Sequence, residues 1–475
     1  MVLGIIELFH HGDENLVPFF IPIGIIGLIR LVVFIFRLIC YLLYRPQRPK
    51  STHSYSSSDV TIIVPTIDCG PEFGRAAIQW MKNAPAEIIV VTTHACLADI
   101  QKMVYAVDKG SGLFRVLSVP EANKRVQLVE GINAARTEIL ALSDDDAIWS
   151  DDFIKWMLVP FDNPRMGGVG SSQAMMPVGD KPTLWEIMAD MRLSMRMMEA
   201  SATSYVDGGI SCLSGRTAVY RREILSDSAL QDSFINEKWM GKYYLHSGDD
   251  KFLTRWLVSH DWQMGFQMHQ DAMLRTTFKP NWYFLKQLLR WTRNTWRSDF
   301  RSLFIDRKIW SRYPCVAFNM LDKMINPATL LLGPVLIGHA MFHHTRWSPL
   351  AILASEVVWV VFSRYIRLYE HWRRRQWDII HLPLYIAFNY FFALMKIYAL
   401  FTLHITGWAT RSDEIVDVEE SIAEISIVID EENDIGPTLV RKVSPLSISK
   451  NDLTTKMALP PTPREIALMN PAPAA

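Results

Sequence analysis

Thr137-Glu138-Ile139-Leu140-Ala141-Leu142-Ser143-Asp144-Asp145-Asp146 is the stretch that decides the fold. Its apolar run reads as a buried strand, and it stops at three successive carboxylates. Clustered hard oxygens at a strand end suit Mg²⁺ or Mn²⁺. A solvated turn after a strand has the same composition, so the triplet takes its meaning from the rest of the chain. Two later clusters add weight to it: Ser247-Gly248-Asp249-Asp250 and Gln287-Leu288-Leu289-Arg290-Trp291.

Outward from this stretch the pattern repeats. Val60-Thr61-Ile62-Ile63-Val64-Pro65, Glu87 to Thr92 and Phe114 to Val119 also read as strands. Helical stretches lie between them, near Glu72–Lys82, Leu97–Val107 and Lys124–Ala134. Strands alternating with helices predict an α/β fold, a mostly parallel sheet with helices on both faces. Ligands of such sheets bind beyond the carboxyl ends of the strands. Asp68, the Thr92-Thr93-His94 turn and Asp144 to Asp146 fall there. The expected extent of this domain is 58–280.

The 475 residues carry 49 Lys+Arg and 49 Asp+Glu. Zero net charge gives no electrostatic argument for a nucleic-acid partner. Hydrophobic content is 49%, with a positive mean hydropathy, and the excess sits on either side of the α/β domain, which points to a membrane protein. Cys40, Cys69, Cys96, Cys212 and Cys315 are scattered, with no zinc or C-x-x-C spacing.

Leu16 to Tyr44 is long enough to span a bilayer, so 1–50 is expected to hold an N-terminal transmembrane helix. Arg30 and Arg37 interrupt it. Arg37 is expected to snorkel towards the basic flank Arg45, Arg48 and Lys50, which places the next domain in the cytosol. The competing reading is an interfacial helix carrying both arginines on one face. Region 281–313 mixes Trp with Arg, as interfacial amphipathic helices do. Region 324–411 holds three apolar stretches, Met324–Phe342, Trp347–Ser363 and Ile379–Thr402. Glu356 and Lys396 within them are candidates for a polar path through the bilayer. The loop 364–375 has five arginines and is expected in the cytosol. Region 412–475 is acidic at its start, then rich in Ser, Thr and Pro, and reads as a disordered tail.

Glycosyl transfer from a nucleotide sugar needs a metal for the diphosphate, a base for the acceptor hydroxyl and groups that hold the partners in line. Asp144 and Asp146 can supply the metal site, with Asp145 pointing the other way if the strand geometry persists. Asp249 and Asp250 open an amphipathic helix, where a carboxylate is either an N-cap or a base. Lys124 and Arg125 start another helix, facing either a phosphate or solvent.

The ordered set D-x-D, S-G, G-D-D and Q-x-x-R-W, followed by apolar helices, resembles the processive family 2 glycosyltransferases. That group holds the hyaluronan, chitin and cellulose synthases, and the likeness points towards the hyaluronan-synthase-like membrane enzymes of fungi. It covers about Val60 to Arg411. The resemblance implies a GT-A type cytosolic domain, with transmembrane and interfacial helices, that inverts configuration at the transferred sugar. Asp68 would contact the nucleoside, Lys124 would sit near the nucleotide, and Asp144 and Asp146 would hold nucleotide and metal, Mg²⁺ or Mn²⁺. Ser214-Gly215-Arg216 with Tyr220-Arg221 would face the acceptor. Asp250 would be the base, with Asp249 beside it. Gln287, Arg290 and Trp291 would bind the nucleotide sugar, Arg290 offsetting diphosphate charge and Trp291 stacking under the acceptor sugar. Trp408-Ala409-Thr410-Arg411 resembles W-G-T-R, with Ala for Gly.

The implied partners are a UDP-sugar donor, a glycan acceptor and the lipid bilayer of the plasma membrane, the product being a cell-surface or cell-wall polysaccharide. A homo-oligomer or a synthase complex stays open. So do a non-processive enzyme acting on a lipid acceptor and an inactive scaffold. The chain departs from the family pattern at Thr92-Thr93-His94, where an acidic residue is usual, and at Lys251, where Arg is common. Three full spans would put the tail outside, whereas the W-G-T-R likeness puts it in the cytosol. Ile379–Thr402 is therefore expected to be partly re-entrant or interfacial.

Overall fold

The computed structural model describes residues 20–407, except 51, 68 and 343–347. Residues 16–19, Asp68, Trp347, Trp408 to Arg411 and the tail 412–475 lie outside the described residues.

The strands expected from the apolar runs form. They are β1 (Val60–Pro65), β2 (Glu87–Thr93), β3 (Phe114–Val119) and β4 (Ile139–Ser143). Further strands are β5 (Ile148–Trp149), β6 (Met166–Met175), β7 (Thr217–Arg221), a small hairpin of β8 (Lys238–Trp239) and β9 (Tyr243–Tyr244), then β10 (Gln263–Gln267) and β11 (Met273–Thr276). The main sheet runs β3-β2-β1-β4-β7-β6-β11-β5, with β10 also on β6. Its pairs are parallel except those made by β7 and β5. This is the mostly parallel sheet that the alternation predicted, GT-A-like as the resemblance implied.

β1 is buried along its whole length because both faces of the sheet are covered. Ile62 faces Phe73 and Trp80, on helix α2 (Pro71–Lys82). Helix α3 (Leu97–Asp108) shares that face. Ile63 faces Leu128 and Ile132 on α4 (Lys124–Ala134). Each buried side chain of this kind contributes about 1.5–3 kcal/mol. Gly131 lets α4 lie close to the sheet, since a Cβ there would come within 2.5 Å of Ile63 Cγ2.

Helix α1 (Phe20–Leu43) precedes the domain. Its Phe34, Cys40 and Tyr41 pack on Met198 and Ala202 of α5 (Leu184–Val206). The sequence reading did not anticipate α5. Its signal was present: Thr183 and Glu186 form a reciprocal capping box at its start.

After the sheet come α6 (Asp249–Ser259) and α7 (Tyr283–Phe300), then α8 (Pro314–Phe342), α9 (Pro349–Arg367) and α10 (Leu382–Phe401). Among the described residues, three helical stretches are long and apolar enough to cross a membrane: Pro314–Phe342, Pro349–Arg367 and Gln376–Phe401. Two expectations need correction. Helix α8 begins ten residues before Met324. Hydropathy breaks at Asp322-Lys323, but both charges are paired, Asp322 with Arg30 at 2.9 Å and Lys323 with Glu199 at 2.5 Å, so the helix continues through them. Arg37 does not snorkel to the basic flank. It turns inward and donates to Asn319 Oδ1 of α8.

Candidate active site

Sheet register builds the acidic end of β4. Ser143 pairs with Thr217 of β7, and the Asp144 N–H then donates to the Arg216 carbonyl at 2.8 Å. β1 runs parallel beside β4, so Thr66, just past its end, meets the next carboxylate. Thr66 Oγ1 donates to Asp145 Oδ2 at 2.6 Å, and Asp145 is buried. Asp145 is thus held by Thr66 while still lining the cavity beside Asp144 and Asp146, so it does not turn fully away as strand alternation predicts. Asp146 Oδ2 accepts from Thr276 Oγ1 at 3.4 Å.

The second acidic pair comes from a sharp turn. Gly248 has φ +79°, a left-handed conformation that favours glycine, and it is the N-cap of α6. Neither Asp249 nor Asp250 caps the helix, which removes the capping reading of Asp250. Asp250 Oδ2 instead accepts the Gly215 N–H at 3.3 Å, and Oδ1 accepts the Lys251 N–H at 2.8 Å. Ser247 Oγ donates to Asn294 Oδ1 of α7 at 3.0 Å, tying this turn to the Q-x-x-R-W helix.

Lys124 joins the two clusters. Its ammonium lies 2.7 Å from Asp144 Oδ1 and 3.2 Å from Asp249 Oδ2. Burial opposes the ammonium charge, but Asp144 and Asp249 outweigh it and hold the Lys124 pKa above its ordinary value. Burial raises the Asp144 carboxyl despite Lys124. At Asp250 burial works against the charge, yet Arg196, Lys251, a Cys212 hydrogen bond and Lys124 outweigh it. Its carboxyl is held below the usual range. Arg125, the other basic residue at this helix start, is buried. It donates to the Phe234 and Ser247 carbonyls and to Glu237, so the phosphate-facing reading does not extend to it.

Glu237 anchors this arrangement from behind. It is buried and takes Arg125 at 2.8 Å, Arg301 at 3.3 Å and Arg255 of α6. Removing one partner of a buried ion network costs about 3–5 kcal/mol. Glu237→Ala is therefore expected to lower the thermal unfolding midpoint markedly, and a melt unchanged within error would contradict this role.

Gln287, Arg290 and Trp291 on α7 line the same cavity of about 1420 Å³ as Lys124, Ser214, Gly215 and the four carboxylates Asp144, Asp146, Asp249 and Asp250. Gln287 Oε1 is buried without a hydrogen-bond partner, an acceptor that a ligand donor would satisfy. Phe278 meets Trp291 edge-on at 6.3 Å, and the Arg216 guanidinium lies 5.2 Å from the Trp291 ring centre. Arg216 also donates to Gln173 Oε1 at 3.0 Å. The structure thus brings these residues together on one cavity, but not Tyr220 and Arg221, which are buried in the sheet, Arg221 donating to the Met166 and Phe161 carbonyls behind it. Sequence reasoning missed Thr66, Asn294, Arg192 and Arg196. The last two sit on α5 and line the cavity.

No three His, Cys, Asp or Glu side chains converge on a metal position among the described residues. Asp144 and Asp146 offer two hard-oxygen ligands beside an open cavity. Mg²⁺ takes one or two protein carboxylates and completes its shell with phosphate oxygens and water. The donor set fits an ion that arrives with a diphosphate.

The profile described as "Glycosyltransferase like family 2" matches residues 58–294. The chain is 37% identical over 373 residues to a type 2 glycosyltransferase of Zymoseptoria tritici, covering 78% of each chain. It is 33% identical over 413 residues to a type 2 glycosyltransferase of Pyricularia oryzae, covering 86% of this chain and 85% of that one. A mannosyltransferase structure from Pyrobaculum calidifontis, in complex with GDP-Man and Mn²⁺, has the same fold. Its TM-score is 0.52 at 16% identity, covering 79% of this chain and 99% of that one. Family profile, relatives and fold agree with the carboxylates gathered at the sheet end: this chain belongs to the family 2 glycosyltransferases.

Proposed function

We propose that the chain transfers a sugar from a nucleoside-diphosphate donor, UDP-linked in our reading, to a glycan acceptor at the membrane, inverting the anomeric carbon. The observation that carries this is the convergence of both acidic clusters and Q-x-x-R-W on one cavity that continues between α1, α8 and α9. The acceptor hydroxyl loses its proton to Asp250 and bonds to the anomeric carbon. The bond from that carbon to the phosphate oxygen breaks, and its electron pair leaves with the nucleoside diphosphate. Arg290 offsets charge on that leaving group. Asp144 and Asp146 would hold Mg²⁺ or Mn²⁺, which when bound neutralises the diphosphate. Trp291 supports the acceptor sugar, and the growing glycan is a polysaccharide, as in the processive synthases that the motif order resembles.

The catalytic domain faces the cytosol in this reading, with α8 and α9 as a hairpin through the plasma membrane. Helix α10 then runs along the interface rather than across the bilayer. One face of it, and Thr402 just after it, touch the catalytic side. Tyr385 Oη donates to Met195 Sδ of α5 at 2.9 Å, Trp296 Nε1 of α7 donates to the Lys396 carbonyl at 3.0 Å, and Arg293 Nε of α7 donates to Thr402 Oγ1 at 3.0 Å. An interfacial α10 returns the chain end to the cytosolic side.

The test is turnover of a panel of UDP- and GDP-sugars by the membrane-reconstituted protein with Mn²⁺. Nucleotide release with one donor, a lengthening product, and loss of both on chelation or in Asp146→Ala are expected. No nucleotide release with any donor of the panel would overturn the reading. Trp291→Ala is expected to cut product yield or length roughly two- to tenfold, the worth of an aromatic contact, with donor KM little changed. An unaltered product would remove Trp291 from the acceptor platform.

A further inference from the structure

Between α9 and α10 the chain passes through a short helix, Tyr369–Arg374, and a 3₁₀ turn, Gln376–His381. His371 lies in this segment with its side chain fully buried. Two carboxylates flank the ring. Nε2 is 3.0 Å from Asp378 Oδ2, in the turn, and Nδ1 is 3.3 Å from Asp190 Oδ2, on α5. Each carboxylate also has an arginine. Arg375 Nε is 2.9 Å from Asp378 Oδ2, and Arg374 is 3.5 Å from Asp190 Oδ1. Arg374 donates as well to Ser194 Oγ of α5. Beside this group Glu370 accepts from Tyr41 of α1 and pairs with Arg373 at 3.5 Å and Arg374 at 3.8 Å. A buried histidine that sugar transfer does not use thus ties the segment to α5.

We propose that His371 is a proton-operated latch: its imidazolium fastens the segment between α9 and α10 to α5, and loss of the proton to solvent as pH rises releases it. The reason lies in the count of donors. The imidazolium has an N–H on each nitrogen and can serve both carboxylates. Neutral imidazole has one, so either Asp190 or Asp378 must then face a ring lone pair at a site closed to water. Burial opposes the charged ring, but Asp190 and Asp378 outweigh it and hold the His371 pKa above its ordinary value. A pKa raised by folding stabilises the closed segment in full below the unfolded value of about 6.5. That contribution is lost as pH rises through the folded value. In the topology proposed above, the protons sampled are those of the cytosol. Release bears on the site, because Asp190 lies on the helix that carries Arg192, Arg196 and Glu199 to the cavity. The latch does not depend on which donor or acceptor the site takes.

The test is amide hydrogen exchange of the full-length protein in neutral detergent, from about pH 6.5 to about pH 9.5. Peptides from the segment Tyr369–His381 and from α5 are read against β1, which corrects for the intrinsic rise of exchange with pH. Relative to β1, their opening is expected to be flat below the folded pKa. Above it, opening should rise by up to about tenfold per pH unit, the slope for one proton. His371→Gln cannot carry the charge. It is expected to open about tenfold more than wild type at the acid end of the range and to lack the slope. Asp378→Asn removes one of the two opposing charges and is expected to move the onset down by about one pH unit or more. A wild-type segment that opens in step with β1 at every pH would overturn the inference. A His371→Gln protein that keeps the slope would overturn it too, by assigning the proton to another group. Where His371→Gln does not fold, Asp378→Asn decides, and an unmoved onset removes the latch. No donor enters the measurement, so its failure leaves the transferase reading standing, and failed sugar transfer leaves the latch standing.

Discussion

Asp250→Asn is expected to slow sugar transfer by roughly 10²–10⁴-fold, the usual contribution of a positioned base, while nucleotide binding stays within a few-fold of wild type. The amide preserves the shape and can still accept the Gly215 N–H that Asp250 Oδ2 takes at 3.3 Å. It cannot take the proton of an acceptor hydroxyl. The carboxyl is held below its usual range despite burial, chiefly by Arg196 and Lys251, so it is ionised throughout the neutral range and available as a base. Single-turnover assays with saturating donor, beside UDP titration, separate the two effects. A variant that transfers at near wild-type rate would remove Asp250 from the base role. A variant that loses nucleotide binding in parallel would show that the residue organises the donor side instead.

Lys124→Gln is the second large effect, and it has a direction in pH. Lys124 lies 2.7 Å from Asp144 and 3.2 Å from Asp249 and lowers the carboxyl pKa values of both Asp144 and Asp250. An opposite charge at such range lowers a carboxyl by about one to three pH units. Removing the ammonium therefore raises these carboxyls, so protonated forms persist to higher pH. The acid limb of the rate profile should move upward by about one unit or more. The variant should lose more activity at pH 6 than at pH 8. A uniform loss across pH would mean that Lys124 acts on the donor phosphates rather than on the carboxylates. Both measurements bear on the same geometry, since this ammonium lies between the two acidic clusters.

Much of the domain was legible from local pattern. Unbroken apolar runs such as Ile62-Ile63-Val64 and Ile139-Leu140-Ala141 make strands buried on both faces, because helices cover both sides of a parallel sheet. The carboxylates at the end of β4 follow from where that run stops. Other features were hidden because they depend on distant partners. Asp322 and Lys323 look like a break in an apolar helix, yet pairing with Arg30 and Glu199 makes them part of it. Arg125 and Lys124 are neighbours in sequence and similar in charge. One is committed to Glu237 in the interior and the other to the carboxylates of the site. Helix α5 was missed although Thr183 and Glu186 mark its start, since its polar face reads as solvent-exposed until α1, α8 and α10 enclose it.

The sequence by itself determined the alternating sheet and helices, the two acidic clusters, Q-x-x-R-W and the apolar helices that follow, because each of these is written in the period and chemistry of adjacent residues. Tertiary structure alone decided that Lys124 bridges Asp144 and Asp249, that Asp250 meets Gly215 rather than capping its helix, and that arginines from three separate helices, α1, α5 and α9, face one cavity. Those arrangements join residues up to hundreds of positions apart. Their energies come from charge and burial in three dimensions, which no local periodicity records.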